Sequence, residues 1–364
     1  GKSITTGTFN TFFGFEAGVN FDTEGNNLGI GAAALGGAVA GGEFNVAIGN
    51  YSLDALTSGD GNTAVGYNAG TAATTGGLNT MLGKDAGSGV LTDAAGHNLM
   101  LGYEAGYNVT SGTNNTLVGG KGPGYSITTG ANNIFIGFET GDGNDTENNN
   151  IGIGNSALGG SIAGGEYNVA IGNLTLDALT SGDSNVVIGY QAGTDLTEGA
   201  TNILVGHGAG ANITTASASI FIGFESGLNL TTQTENIGIG YRSGYSSTGT
   251  RNTMMGYKSA LNGTSFDDNV IIGYEACGTG VLTGNHGVVI GYQAGKALTS
   301  AGENILIGSL AGTSITTGGG NIMIGREAGD GFDTETHNLG VGLAALGGAI
   351  NGGEYNVAVG NYAL

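Results

Sequence analysis

The sequence predicts an all-β fold, a parallel β-solenoid or β-roll of about 21 coils with a period of about 17 residues. A short phrase recurs along the whole chain at spacings of roughly 16 to 19 residues: an Asn, three mostly apolar residues and a Gly, as in Asn45-Val46-Ala47-Ile48-Gly49. The apolar residues keep their phase from one copy to the next. Neither the Gly-X-Y period of collagen nor the heptads of a coiled coil occurs.

The opening Asn, called position one, is replaced only at Ser219 and Gly287. Aligned Asn side chains in stacked coils predict a ladder, in which each side-chain amide bonds to the amides above and below it. The predicted ladder comprises Asn10, Asn45, Asn62, Asn133, Asn168, Asn202, Asn304 and Asn356.

Positions two to four are short, apolar and rich in β-branched residues, as in Val169-Ala170-Ile171, and a Gly ends each run. Such runs predict strands, because they are too short for helices. Side chains alternate across a strand, so positions two and four face one way and position three the other. We expect positions two and four to fill the interior of the coil.

The closing Gly recurs in every copy and predicts a tight corner that excludes a Cβ atom or requires positive φ. A shorter phrase follows in many copies, as in Ile127-Thr128-Thr129-Gly130, and it predicts a second, short strand. The predicted structural corners include Gly14, Gly49, Gly66, Gly137, Gly172, Gly206, Gly308 and Gly360.

A unit of about 17 residues cannot bury an apolar face alone, but it can when parallel strands of successive coils lie about 4.8 Å apart. No change of composition divides the chain, so residues 1–364 are predicted to form one solenoid array. The alternative is a disordered Gly-rich chain, since 78 of 364 residues are Gly. A disordered chain would not keep its aliphatic residues in phase.

In four places a large residue at position three is followed one coil later by Gly, as in Phe12 and Gly29 or Phe221 and Gly238. This column predicts an interdigitated buried surface. If positions two and four are internal, position three faces a partner, and we expect a homo-oligomer of three chains. The alternative is a flattened coil that encloses both faces within one chain. The large residues of this predicted oligomer face are Phe12, Met81, Met100, Phe135, Phe221, Met254 and Met323.

Charge and motif content restrict the function. Eight basic residues against 29 acidic ones give a net charge of −21, which argues against nucleic acid or an anionic membrane as a partner. Cys277 is the single cysteine and occupies a slot that elsewhere holds Gly, Leu or Ala. No apolar run is long enough to span a membrane, and no catalytic motif survives inspection, so we expect neither membrane insertion nor enzyme activity.

Two ligand hypotheses remain open, and no cofactor is expected otherwise. The acidic turns at Asp142 to Glu147 and Asp330 to Glu335 could supply oxygen ligands for calcium, although they do not recur in every coil. Rows of Thr on a flat β face could match an ice lattice, although turn chemistry explains the same residues.

The two ends of the sequence are in phase with each other. Reading from Asn356 through Leu364 and on from Gly1 to Asn10 gives one normal repeat. We therefore expect either a window of a longer array or subunits that stack head to tail into a filament.

The phrase Asn45-Val46-Ala47-Ile48-Gly49, with a small residue three positions later, resembles the head repeat of trimeric autotransporter adhesins. The run from Asn62 to Gly70 is also similar to repeat arrays of phage tail fibres. The resemblance implies a left-handed, trimeric parallel β-roll, exposed outside a cell, on a cell surface or on a virion.

On these grounds we expect a structural rod or extracellular filament with an adhesive or spacing role. The alternatives are a receptor-binding phage or virion fibre domain and an ice-binding surface. Self-association is the expected interaction, and a surface receptor or a carbohydrate is a further candidate partner.

Overall fold

The structure is a computed structural model that describes residues 4–37, 41–92, 95–348 and 352–364. It comprises two compact units, Gly1–Ser184 and Asn185–Leu364. The prediction of one array over residues 1–364 stays a prediction. Residues 1–3, which form part of the predicted end-to-end junction, lie outside the described residues.

Each unit is an all-β parallel solenoid in which every copy of the phrase forms one strand at positions two to four. The strands of the first unit are β1 Thr11–Phe13, β2 Leu28–Ile30, β3 Val46–Ile48, β4 Thr63–Val65, β5 Thr80–Leu82, β6 Leu99–Leu101, β7 Thr116–Val118, β8 Ile134–Ile136, β9 Ile151–Ile153 and β10 Val169–Ile171. The strands of the second unit are β11 Val186–Ile188, β12 Ile203–Val205, β13 Ile220–Ile222, β14 Ile237–Ile239, β15 Thr253–Met255, β16 Val270–Ile272, β17 Val288–Ile290, β18 Ile305–Ile307, β19 Ile322–Ile324, β20 Leu339–Val341 and β21 Val357–Val359.

Consecutive strands within each unit pair in parallel, with like positions opposite each other. Phe12 of β1 pairs with Gly29 of β2, and Phe221 of β13 pairs with Gly238 of β14. No helix occurs among the described residues. The predicted parallel solenoid with a period of about 17 residues is confirmed. A coil is numbered below by its strand.

The prediction of a second, short strand in each coil is wrong. In the Thr-containing segment, successive backbone N–H groups converge on one carbonyl of the next coil instead of pairing along a ladder. The N–H groups of Thr110, Ser111 and Gly112 all point to the carbonyl oxygen of Thr128, at 2.9 to 3.2 Å. The backbone therefore curves around that oxygen, and an extended strand cannot do so.

The closing glycines adopt a conformation that other residues avoid. The eight predicted corner glycines have φ between 134° and 145°. A Cβ atom on Gly66 would lie 2.3 Å from the carbonyl oxygen of Gly83 in the next coil. Both the backbone angle and the close stacking of coils therefore require Gly at this corner.

Three further positions of the coil adopt left-handed backbone angles in residues other than Gly. They are the second residue after the closing Gly, as at Glu104 with φ 56°, the fourth residue after it, as at Leu53 with φ 48°, and the residue before position one, as at His97 with φ 60°. Such angles are uncommon for non-Gly residues. Their regular recurrence allows the coil to turn tightly on both sides of the strand.

Candidate interaction surface

Position three of the strand lies inside the coil, so the predicted orientation of the strand is wrong. Met81, Met100, Phe135, Phe221, Met254 and Met323 are fully buried within the chain, and Phe12 of the terminal strand is partly buried. These residues therefore do not form an oligomer face. The predicted interdigitation is present, but it lies inside one chain.

The alternation of large residues and Gly at position three has a direct steric cause. A Cβ atom on Gly238 would lie 2.6 Å from the ring of Phe221, and one on Gly340 would lie 2.9 Å from the sulfur of Met323. Each large side chain thus occupies the space that the next coil leaves empty. The narrow interior holds one large side chain for every two coils at these places.

The opening Asn residues share the interior with position three and join the coils. The backbone N–H of Asn62 donates to Oδ1 of Asn45 at 2.9 Å, and its Nδ2 donates to the carbonyl of Gly76 at 2.8 Å. The amide-to-amide bond that the sequence predicts is also present there, at 3.2 Å. The ladder is therefore built mainly from side chain to backbone bonds, which satisfy buried N–H and carbonyl groups.

Positions two and four face outward and form a continuous surface, called here the outer strand face. Position four is apolar in every coil, and position two is aliphatic or Thr. Well inside a unit these side chains stay partly exposed, and exposure reaches 37 % at Ile136 and 38 % at Ile222. Each unit thus presents an apolar stripe about 45 Å long that its own described residues leave uncovered.

Two borders flank the outer strand face. The opening border consists of the residues directly before position one, and the corner border consists of the residues directly after the closing Gly. In the second unit, seven consecutive corner-border rings stack with centroids 4.9 to 5.4 Å apart, and we call them the aromatic ladder. They are Tyr190, His207, Phe224, Tyr241, Tyr257, Tyr274 and Tyr292.

The aromatic ladder exposes ring edges and hydroxyl groups, because neighbouring rings cover the ring faces. Tyr190 and Tyr292, at its two ends, are 46 % and 51 % exposed. The planes from His207 to Tyr292 lie within 17° of parallel. Sequence reasoning missed this feature, although the aromatic residues that follow the closing Gly in successive copies were a visible signal.

Charged side chains beside the aromatic ladder are paired within the chain. Nε of Arg242 lies 2.6 Å from a carboxylate oxygen of Glu225, and the ammonium of Lys296 lies 3.5 Å from Glu275. The negative charge of Glu275, together with burial, raises the pKa of the Tyr274 phenol, so this hydroxyl stays neutral at pH 7. The charges of Arg242 and Lys296 beside the ladder are therefore compensated within the chain.

In several of the phrases that raised the possibility of ice binding, the hydroxyl group of the first Thr already has a partner. The hydroxyl of Thr57 donates to the carbonyl of Thr74 at 3.0 Å, and that of Thr197 donates to the carbonyl of Thr214 at 3.1 Å. A hydroxyl has a single hydrogen to donate. Each of these Thr residues therefore joins one coil to the next.

The acidic turns considered for calcium contain Glu residues that bind backbone N–H groups. The carboxylate of Glu335 accepts bonds from Asp333, Thr334 and, in the next coil, Gly352, at 2.8 to 3.1 Å. Glu147 has the same arrangement, and so does Glu24. Burial alone would raise the pKa of Glu335, but these backbone hydrogen bonds lower it below its usual value.

Other candidate groups do not assemble into a centre. Within the ranges that the structure describes, no three His, Cys, Asp or Glu side chains lie close enough to hold a metal ion. Cys277 is fully buried, and burial raises the pKa of its thiol to about 12. The described residues also contain no helix that is long and apolar enough to cross a membrane.

Comparison with known proteins adds no relative. No protein-family model matches the chain, and no curated protein matches its sequence.

Proposed function

We propose that this chain is a structural protein of an extracellular rod or filament, with an adhesive or spacing role and no catalysis. The observation that carries the proposal is the outer strand face, an apolar stripe that continues through each unit. A stripe of this length exceeds what a soluble monomer usually leaves exposed. Copies of the chain that bury it against one another would form a rigid fibre.

Two further features support this assignment. Nearly every polar bond of the interior, such as those of Asn62, joins one coil to the next, so the repeat serves stacking. The phrase also resembles the head repeats of trimeric autotransporter adhesins and the repeat arrays of phage tail fibres. We therefore propose a trimer that is exposed on a cell surface or a virion, and head-to-tail stacking would extend it.

Light scattering on the purified chain, together with negative-stain imaging, tests this proposal. We expect wild-type particles of several chains, and Ile136→Glu with Ile222→Glu should convert them into monomers, because each Glu would bury a charge. Ser58→Glu, at an exposed site away from the strand, serves as the matched control and should leave the particles intact. A folded wild-type chain that stays monomeric at micromolar concentration would refute self-association.

A receptor-binding fibre domain is the second candidate, and the exposed aromatic ladder favours it. Tyr hydroxyls and ring edges beside an apolar stripe are suited to a carbohydrate or protein receptor. This candidate predicts particles of fixed length and defined stoichiometry. Open-ended fibres would instead support the filament.

A further inference from the structure

The aromatic ladder is a continuous row of exposed rings, and the two units differ in it. In the first unit the corner-border rings never occupy neighbouring coils; they are Phe15, Tyr67, Tyr103 and Phe138. In the second unit the last four rings of the ladder are all Tyr and belong to the consecutive coils 14 to 17. We call them the tyrosine row, and they are Tyr241, Tyr257, Tyr274 and Tyr292.

The tyrosine row repeats one hydroxyl group per coil. Neighbouring ring centroids are 4.9 to 5.4 Å apart, and the ring planes lie within 14° of parallel. Because each ring occupies the same position of its coil in nearly the same orientation, the hydroxyl groups recur at the same spacing. The four residues are 38 to 51 % exposed. Within the described part of the chain no protein group bonds to these hydroxyls, so each can donate one hydrogen bond to a ligand and accept another.

A strip without side chains separates the tyrosine row from the outer strand face. In every coil of the row the closing Gly stands between the position-four residue and the ring, as in Ile239-Gly240-Tyr241. The closing glycines of these coils are partly exposed, so the strip has a backbone floor. A long, thin ligand on this strip can contact the aliphatic side chains along one edge and the hydroxyl groups along the other.

The charges around the tyrosine row favour a neutral ligand. Arg242 and Lys296 are already paired with Glu225 and Glu275. The ammonium of Lys258 lies over the ring of Tyr257, 5.1 Å from its centroid. The chain as a whole has a net charge of −21, which repels polyanions such as nucleic acids and acidic polysaccharides.

The spacing of the hydroxyl groups distinguishes between linear polymers. An extended peptide advances about 3.3 Å per residue and a polyproline helix about 3.1 Å, so neither presents equivalent groups once per coil. A β-1,4-linked hexose chain is a flat, extended ribbon in which each sugar advances by close to one coil spacing. Successive sugars alternate in orientation, but every sugar has a hydroxyl group at each edge of the ribbon. An α-1,4-linked chain coils instead, and the match is lost.

We propose that the tyrosine row binds a neutral, β-1,4-linked polysaccharide that lies along the solenoid axis of the second unit, with one sugar per coil. Each sugar then exchanges a hydrogen bond with one Tyr hydroxyl group, and C–H groups of the ribbon contact position-four side chains such as Ile272. Cellulose and chitin share this linkage and this neutral ribbon. The inference rests on the adhesive role proposed above and names its ligand class, and it does not depend on self-association.

Retention of the full purified chain on polymer particles tests this inference. Microcrystalline cellulose and chitin are the two expected ligands. Granular starch, an α-1,4-linked polymer of glucose, is the control for the linkage. We expect cellulose, chitin or both to remove the chain from solution, and starch to leave it there.

Variants that keep the rings test whether the hydroxyl groups carry the binding. The triple variant Tyr241→Phe/Tyr257→Phe/Tyr274→Phe preserves the stacked rings, and circular dichroism should confirm that it folds like the wild type. One hydrogen bond should change the affinity by about 3- to 10-fold, so the triple variant should bind at least about 30-fold more weakly.

A matched control and a variant with an added hydroxyl group complete the design. The control Tyr67→Phe/Tyr103→Phe/Tyr167→Phe removes the same number of exposed hydroxyl groups outside the ladder and should bind like the wild type. Phe224 stacks on Tyr241 with the ring planes 6° apart, so Phe224→Tyr adds one hydroxyl group in register. This variant should bind about 3- to 10-fold more tightly than the wild type.

The outcomes separate this inference from self-association. It would be overturned by no retention on either β-1,4-linked polymer, by equal retention on starch, or by a triple variant that binds like the wild type. Light scattering on the same samples reports self-association independently, because none of the substituted residues lies on the outer strand face. A chain that binds the polymer but stays monomeric would overturn self-association and leave this inference standing.

Discussion

Asn202 makes four contacts of the ladder, three of them through its side chain, so its replacement by Ala tests how coils are held together. Its Nδ2 donates to the carbonyl of Ala216 at 2.8 Å and to Oδ1 of Asn185 at 3.0 Å. Its Oδ1 accepts the backbone N–H of Ser219 at 3.0 Å, and its own N–H donates to Oδ1 of Asn185 at 2.9 Å. Only the last of these survives in Asn202→Ala.

The magnitude follows from the groups that lose their partners. Asn202→Ala leaves the N–H of Ser219 and the carbonyl of Ala216 unpaired, and both residues are fully buried. Each orphaned group costs about 1 to 3 kcal/mol, so we expect a local loss of about 2 to 6 kcal/mol. Asn202→Ser should cost about half as much, because the natural Ser219 shows that a hydroxyl at this position accepts the next N–H, from Asn236 at 3.2 Å.

Native-state hydrogen exchange of the full chain, followed by mass spectrometry, measures this effect locally. Exchange at the amide of Ser219 should speed up by about 30-fold or more in Asn202→Ala, since about 2 kcal/mol corresponds to that factor. Asn212→Ala is the matched control in the same coil, because its exposed amide bonds only to Asn229. It should change the stability by less than about 0.5 kcal/mol.

Two results would refute the reasoning. One is an Asn202→Ala protein that exchanges like Asn212→Ala, which would mean that the buried ladder contributes no more than an exposed amide pair. The other is Asn202→Ser with the full loss of Asn202→Ala, which would mean that the acceptor for the next coil is not what matters.

Three further predictions concern the acid caps, the interior and the aromatic ladder. Burial would raise the pKa of Glu24 and Glu335, but hydrogen bonds from backbone N–H groups outweigh it and lower both pKa values. The two carboxylates therefore stabilise the fold fully above the unfolded pKa of about 4.3, and this stabilisation disappears as the pH falls through the lower folded pKa. The urea midpoint of unfolding should fall in acid, and it should fall less after Glu24→Gln and Glu335→Gln. Gly238→Ala should lower the free energy of unfolding by about 1 to 3 kcal/mol, because the new methyl group would clash with the ring of Phe221. In a double-mutant cycle, Phe221→Ala should relieve this clash, so the double variant should lose less stability than the sum of the two single variants. Additive losses would contradict the steric account. Tyr257→Ala removes two stacked contacts, so it should lower the free energy of unfolding by about 1 to 3 kcal/mol and alter the near-ultraviolet circular dichroism. Tyr257→Phe keeps the ring and should retain most of the stability. An Ala variant as stable as the wild type would show that the stacking does not stabilise the fold.

The recurrence of Asn and Gly was sufficient to predict the solenoid, because each residue type meets a demand that repeats with every coil. Gly66 has a backbone angle and a close contact that exclude a side chain, and Asn62 supplies bonds that neighbouring coils need. The constant spacing of these residues, together with their chemical type, is compatible with few folds other than a solenoid. The second strand was mispredicted because Thr residues occur in both strands and turns. In the structure, hydrogen bonds that converge on one carbonyl stabilise a turn.

The orientation of the strand could have been predicted from the opening Asn. Side chains alternate along a strand, so positions one and three lie on the same side. An Asn that must bond to neighbouring coils lies inside, so residues at position three, such as Phe135, lie inside as well. The error arose because both faces of Ile134–Ile136 are apolar, so hydrophobicity alone did not distinguish them.

The sequence by itself determined the number of coils, the parallel stacking and the residues at the ladder and the corners, because these depend on contacts that repeat at one fixed spacing. The tertiary structure alone decided which strand face is internal, that rings such as Tyr257 and Tyr274 stack, and that Glu335 caps the following coil. The reason is that these features depend on the path of the backbone between the strands. That path is set by residues with left-handed backbone angles, such as Glu104. The chemistry of a Glu side chain does not predict a positive φ.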